Sequence, residues 1–511
     1  MTRSWTIFAM MLCGALAAGT RAVEAPAADE RVDFAALRKI AEVDPRFQSY
    51  NVEMVEVTGG RFWAPYGVKP GEMFRQREPL DLADPKLRQL ARHLAPAYVR
   101  VSGSWASNTY LPLDGEALRE PPAGFKQVLT RNQWTGVIDF AKAVDAELVT
   151  SFAVSAGTRD ADGVWTSTQA QRIAELTTAA GGTLVAAEFF NEPNVPTSAF
   201  GVPKTYGADE YSRDFRAFKA WAKRAVPHMK ILGPSGVGEG TTLRAAGLGP
   251  IIRSEDMMRR DPGSVDAVSY HFYGGLSSRC EFMGLGTPAK EDALKPEWLD
   301  RTLSNFDLYR DLRDRYEPGK PLWLTETAQA GCGGSPWAAT FLDAFRYLNQ
   351  NALLASKGVQ VVIHNTLSAS DYALLDEGTL EPRPNYWAAV LWRRLMGTVV
   401  LQSPPEAGES LRLYAHCLRD AQGGVALLAL NIGETHRAVA VGGKARAWVM
   451  TGEPLDTKRL RVDGREPHLR DDGRIDGLQG VAVAGSVELP PKSITFLAIP
   501  GAGNRSCRRN R

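Results

Sequence analysis

The chain is predicted to be an α/β protein, a (β/α)8 TIM barrel followed by an all-β sandwich. Three observations point there. Eight short apolar or β-branched runs alternate with amphipathic helical stretches as far as Met396. Beyond that residue the pattern changes to closely spaced short strands separated by Gly, Asp and Pro turns. A chain of 511 residues exceeds one ordinary domain but accommodates a barrel of ~250 to 400 residues plus a smaller module.

The eight candidate barrel strands are Asn51 to Val57, Tyr98 to Ser102, Leu148 to Val154, Leu184 to Phe190, Lys230 to Gly233, Val265 to His271, Pro321 to Glu326 and Val359 to Asn365. Between them lie helical stretches with apolar positions recurring at i, i+3 and i+4. These are Asp84 to Leu94, Thr135 to Asp145, Ser167 to Ala180, Ala208 to Ala225, Pro296 to Tyr316 and Trp337 to Ser356, followed by Pro384 to Met396. Asp84-Pro85 is a helix start, because Asp accepts from free N–H groups and Pro at the first helical position loses no bond. The later strands are Leu411 to Leu418, Val425 to Asn431, Ala438 to Val441, Ala445 to Met450, Gly480 to Val483 and Ser493 to Ile499, and a segment at Val32 to Leu37 is a candidate addition to their sheet. The expected division is a leader over residues 1–25, the barrel over 26–396, the sandwich over 397–505 and a basic tail over 506–511.

The leader reading rests on Arg3, the apolar run from Trp5 to Ala18 and the Ala/Pro-rich stretch after it, a run too short to span a bilayer. A secreted or periplasmic protein is therefore expected, with no membrane insertion. Five cysteines are present; Cys13 leaves with the leader, and the remaining four favour the pairs Cys417 with Cys507 and Cys280 with Cys332, against four unpaired thiols. Formal net charge is +2, too small for a protein that binds nucleic acid through its overall field. No grouping has zinc or calcium spacing, and there is no phosphate loop or dinucleotide fingerprint, so neither metal nor cofactor is expected.

Two segments carry the chemistry: Phe189-Phe190-Asn191-Glu192-Pro193-Asn194 after the fourth strand, and Leu322-Trp323-Leu324-Thr325-Glu326-Thr327 at the seventh. At ~30 residues per strand–helix unit they lie three to four units apart, on the same rim of a barrel. Cleaving a sugar acetal with retention needs an acid to protonate the leaving oxygen and a carboxylate to attack the anomeric carbon, ~5 to 5.5 Å apart. Glu192, beside Phe189, Phe190 and Pro193, suits the acid, whose pKa must be raised; Glu326 suits the nucleophile. Asn191 is placed to hold the sugar 2-hydroxyl. A lone Asn-Glu-Pro triplet is otherwise a common surface turn. Trp105 and Trp165, on loops that follow strands, are candidates for carbohydrate contact, whereas Trp387 and Trp392 read as core.

At these residues the chain resembles the heparanase-like enzymes of glycoside hydrolase family 79, from about Asp44 to Ala498. The matching stretches are AYVRVSGSWASNTY (97 to 110), EFFNEPN (188 to 194), VDAVSYHFY (265 to 273), PLWLTETAQAGCGG (321 to 334), SDYALLDEGTLEPRPNYW (370 to 387) and LRLYAHC (411 to 417). The resemblance implies a retaining β-glucuronidase with Glu192 as acid/base and Glu326 as nucleophile. It also implies that Glu53 holds hydroxyls of the reacting sugar, that the Tyr372 hydroxyl approaches the glucuronate, and that backbone N–H groups of Cys332 and Gly333 receive its carboxylate, in a turn where glycines let donors converge on an anion. Two departures stand out: Gly331 replaces a tyrosine frequent in the family, and Cys332 replaces the first glycine of the turn, where a bond to Cys280 could fix it. The segment between Tyr110 and Val128 is short where some members carry an excisable linker, so activity without processing is expected. His271 and Tyr273 follow the sixth strand, with one or the other placed to bond Glu326; His271 is either a substrate contact or a satisfied core histidine. His364 and Asn365 end the eighth strand.

The expected substrate is a glucuronate-containing polysaccharide or oligosaccharide, cut internally as in heparan sulfate-type chains. The alternatives are an exo-β-glucuronidase on terminal glucuronic acid and, in another class, a non-catalytic glycan-binding protein. A monomer is expected.

Overall fold

The structure is a computed structural model and describes residues 30–67, 72–116, 118, 120–196, 202–203, 205–240, 252–283, 286–404 and 409–508. The leader, 1–25, and the last three residues of the basic tail lie outside them.

Eight parallel strands close into a barrel: β1 (Gln48–Glu53), β2 (Ala97–Ser102), β3 (Ala146–Ser151), β4 (Leu184–Glu188), β5 (Lys230–Val237), β6 (Ala267–Tyr273), β7 (Leu322–Ala328) and β8 (Val361–His364). The order is sequential and β8 pairs with β1, with Val362 opposite Gln48 and His364 opposite Tyr50. Helices follow as their apolar periodicity requires, among them Ala208–Ala225, Phe341–Ser356 and Pro384–Leu395. Asp84 caps Pro85–Arg92 by accepting from the Leu87 N–H at 2.9 Å. The stretch expected as one helix from Pro296 to Tyr316 is divided into Pro296–Leu299 and Thr302–Tyr316.

Alternation along each strand sends every second side chain inward. At the lower end of the barrel these are apolar: Tyr98, Val149, Ala186, Leu232, Ala267, Trp323, Val361 and Ile363 pack together. Two residues further along come Arg100, Glu188, Ser269 and Thr325, all buried, and next His271 and Tyr273. The interior thus passes from an apolar plug to a charged layer directly below the mouth.

The first strand departs from the expected range. It ends at Glu53, and Met54–Thr58 turns into a buried helix whose Glu56 carboxylate accepts from the Glu53 N–H at 2.6 Å. β-branched Val55 and Val57 read as strand, yet both are buried in that helical turn.

Among the described residues, the second sheet has nine strands, in the order Glu30–Arg31, Arg437–Thr451, Ser493–Ile499, Val425–Asn431, Leu411–Leu418, Met396–Leu401 and Lys39–Glu42, with Arg461–Val462 and Val481–Leu489 also on Arg437–Thr451. Its pairings are antiparallel except at Glu30–Arg31. Gly442-Gly443, read as a turn between two strands, is instead an irregularity within one long strand, where the register shifts between Ala440 and Lys444. In the central strands Leu411–Leu418, Val425–Asn431 and Ser493–Ile499 both faces are buried. Leu427, Ala429 and Leu497 pack within the sheet domain, while Leu428, Leu430 and Phe496 pack against the barrel's helices. Arg412 and Tyr414 from that second face donate to Asn349 Oδ1 at 3.1 and 2.7 Å, which fixes the domain on the barrel. Cys417 is bonded to Cys507 and Cys280 to Cys332. Among the described residues no helix is long and apolar enough to cross a membrane.

Candidate active site

A cleft of about 830 Å³ opens at the C-terminal ends of the barrel strands. Glu53, Asn191, Glu192, Tyr273, Glu326, Cys332, Asn365 and Tyr372 line it. One wall is aromatic, formed by Trp105 and by Phe62, Trp63 and Phe74 of a hairpin in which Gly60–Trp63 pairs with Phe74–Arg77.

Glu192 follows β4 on backbone with a φ of 51°, a left-handed conformation that non-glycine residues rarely adopt outside constrained sites. Glu326 reaches the cleft through a local irregularity. Pairing between β6 and β7 slips, so that Tyr270 faces Leu324 while His271 faces Glu326. The slip breaks the alternation, and adjacent Thr325 and Glu326 both reach into the barrel. Thr325 donates to Glu188 at 2.5 Å, and Glu326 accepts from Tyr273 at 2.6 Å and from Arg100 at 2.8 Å. One oxygen of Glu192, one oxygen of Glu326 and a nitrogen of His271 lie within 4.8 Å of one another. Three groups at this spacing could hold a cation; here Arg100 already supplies positive charge to Glu326.

Electrostatics separate the carboxyls. Burial pushes Glu192 above the ordinary carboxyl range and the charge of Glu326 adds to this, against a hydrogen bond from His271 at 3.1 Å. Burial would depress His271, but Glu326, Glu188 and Glu192 outweigh it and lift the imidazole to about 9. Burial opposes ionisation of Glu188, yet Arg100, His271 and Thr325 hold it well below the usual range. Glu53 is driven well above that range, by burial first and by Glu326 second. Its Oε1 accepts from Asn365 at 3.1 Å, and its buried Oε2 has no protein partner among the described residues. Gly103, with φ of 91°, makes room for it: a Cβ there would lie 1.6 Å from Glu53 Oε2.

Asn191 accepts from Arg100 at 2.8 Å through Oδ1, which leaves its amide nitrogen for a ligand. Asn365 donates to the hydroxyls of Tyr273 and Tyr372 at 3.0 and 3.1 Å. Cys332 forms part of the cleft wall, and Gly333, next in the turn, adjoins Trp63 of the same cleft. His271 is fully buried beneath the two glutamates rather than on the wall, and His364 turns away to the carbonyl of Tyr372 at 2.9 Å. Trp165, expected on the carbohydrate surface, is core: its ring packs on Phe189 and Phe218, and its N–H donates to the Ala153 carbonyl at 2.9 Å.

Sequence reasoning missed Arg100, Glu188 and the aromatic hairpin. A signal for the first two was present, since an arginine or glutamate inside an apolar strand at the inward alternation has to be paired. The hairpin carries no such mark.

No protein-family model matches the chain. It is 25% identical to the heparanase of Bos taurus over 548 residues, 94% of each protein, and 23% identical to the inactive heparanase-2 of Homo sapiens over 75% of this chain and 66% of that one. Among solved structures it resembles the 4-O-α-L-rhamnosyl-β-D-glucuronidase of Fusarium oxysporum at a TM-score of 0.60 and 11% identity, over 90% of this chain and 97% of that one. With these likenesses on the barrel and sheet described above, the chain is a homologue of the heparanases, and its fold is that of glycoside hydrolases.

Proposed function

We propose that the protein is an exported, retaining β-glucuronidase that cuts within glucuronate-containing chains of heparan sulfate type. The carrying observation is the pair of cleft carboxyls, Glu192 and Glu326, with oxygens no more than 4.8 Å apart, Glu192 raised by burial and Glu326 ion-paired with Arg100. Inverting enzymes keep their carboxyls ~6.5 to 9.5 Å apart to admit a water.

In the first step Glu326 attacks the anomeric carbon as Glu192 gives its proton to the departing glycosidic oxygen. Arg100 and Tyr273 hold the attacking carboxylate in one orientation. Esterification removes the negative charge of Glu326, and with it one of the causes of the raised Glu192 pKa. Glu192 then takes a proton from water, which attacks the same carbon and releases Glu326. His271, charged below about 9, stabilises the carboxylate form of Glu192 needed in that second step.

In this reading Glu53 faces a sugar hydroxyl, Asn191 holds the 2-hydroxyl, and Tyr372 with the N–H groups of Cys332 and Gly333 faces the uronate. Arg61 and Lys126 on the cleft walls suit an anionic chain. Two disulfides suit an oxidising compartment. Size-exclusion chromatography of heparan sulfate digests tests the mode of action. A rapid early drop in chain length is expected; free glucuronic acid from the outset would mean exo action, and binding without turnover a glycan-binding protein.

A further inference from the structure

We infer that the Cys280–Cys332 disulfide and Arg279 form a clamp that positions the turn 331–334, and that this clamp sets the preference for a sugar bearing a carboxylate over its neutral counterpart. The inference rests on the glucuronidase reading above and names the parts of this chain that enforce its anion selectivity.

Cys332, Gly333 and Gly334 have φ values of 58°, 82° and 84°. Glycine tolerates such a run; cysteine does not, because its Cβ crowds the backbone there. The carbonyls of all three residues are tied back. That of Cys332 accepts from Ser277 Oγ at 2.8 Å and from Arg279 at 3.1 Å, that of Gly333 from the Asp371 N–H at 3.1 Å, and that of Gly334 from Arg279 at 2.9 Å. With its carbonyls held, the turn has a single orientation for its N–H groups. Successive N–H groups in such a conformation make a concavity for an anion.

Arg279 is itself held on several sides. It donates to the Ala64 carbonyl at 2.9 and 2.6 Å, is ion-paired with Asp371 with both side chains 4% exposed, and lies 3.8 Å over the Tyr66 ring. Asp371 neutralises its charge locally, so its contribution to anion preference is geometric. The disulfide acts from the other side. Cys280 is buried after β6 and Cys332 lies in the cleft wall after β7; the loops also bridge at Leu276 and Gly331. Without the bond, Cys332 is released to relax toward negative φ, which rotates the N–H groups of residues 332 and 333 away from a bound carboxylate. A neutral sugar makes no use of those groups.

The test is Cys280→Ser, which leaves the turn's own residues unchanged, assayed on aryl β-D-glucuronide and aryl β-D-glucoside. For the glucuronide KM is expected to rise about tenfold with kcat within about twofold, the loss of a charge-assisted hydrogen bond, while the glucoside rate is unchanged. The parental enzyme under dithiothreitol should behave the same way, and Cys417→Ser/Cys507→Ser without reductant should not. Arg279→Lys, which keeps the charge but loses the fork, gives a second reading of the same split should Cys280→Ser not fold. An unchanged KM for the glucuronide, or an equal fall on both substrates, overturns the clamp and leaves the glucuronidase reading standing. A parental enzyme with no preference for the glucuronide overturns both.

Discussion

Arg100 and Glu326 form an ion pair inside the barrel, Nη1 to Oε2 at 2.8 Å, with side chains 1% and 6% exposed. The same guanidinium binds Glu188 at 2.7 Å and Asn191 at 2.8 Å, so one cation from β2 fixes groups contributed by β4 and β7. Its removal strands Glu188, a carboxylate with no exposure. Arg100→Met should destabilise the fold by about 3 to 5 kcal/mol, measured by denaturant midpoint. Arg100→Lys keeps the charge but cannot reach all three partners, and kcat should fall at least ~100-fold.

Glu192→Gln removes the proton that assists departure of the aglycone. On a glycan, whose leaving group is a poor one, kcat should fall by ~10²- to 10⁴-fold, whereas the glycosylation step with a dinitrophenolate leaving group should change little. Pre-steady-state release of the phenolate separates these cases; an equal loss on both substrates would assign Glu192 a role other than proton donor.

His271 couples the two carboxyls. Its positive charge and hydrogen bond lower the Glu192 pKa, so His271→Gln should move the alkaline limb of the pH–rate profile upward even as the maximal rate falls. The linked stability effect has a definite sign. With a folded value of about 9 against about 6.5 unfolded, the contribution of His271 is complete below pH 6.5 and is lost as pH rises through 9. The difference in thermal midpoint between parent and variant should therefore shrink across that window.

Barrel and sheet domain were legible in the sequence because strands buried on both faces form apolar runs and helices repeat at 3.6 residues. Glu192 and Glu326 were legible because each is a carboxyl placed next to such a run. What stayed hidden depends on pairing between distant segments. Nothing in Leu324-Thr325-Glu326 announces a slip against β6, and a strict alternation would send only one of Thr325 and Glu326 inward. Trp165 follows a strand and reads as a loop platform, but Phe189 and Phe218 from elsewhere in the chain enclose it. Beside Trp105, the cleft's aromatic wall comes from the paired strands Gly60–Trp63 and Phe74–Arg77, where the apolar residues are too few to register as strands until the two segments meet.

The bond between Cys417 and Cys507 lies in the sheet domain, among residues that do not line the cleft. Replacing both by serine should lower stability by about 2 to 4 kcal/mol, read from thermal or denaturant unfolding, and leave KM and kcat on a small glucuronide unchanged. A changed KM would mean that the sheet domain shapes the cleft.

Retention through a covalent intermediate on Glu326 is tested most directly by trapping that intermediate. A 2-deoxy-2-fluoro-β-D-glucuronyl fluoride slows both steps by withdrawing charge from the anomeric centre, and its fluoride leaves readily, so the glycosyl-enzyme accumulates. Intact-mass measurement followed by peptide mapping should find one fluoroglucuronyl group, on the carboxyl of Glu326. An adduct on another residue, or none on an enzyme that turns over the parent glucuronide, would contradict the assignment.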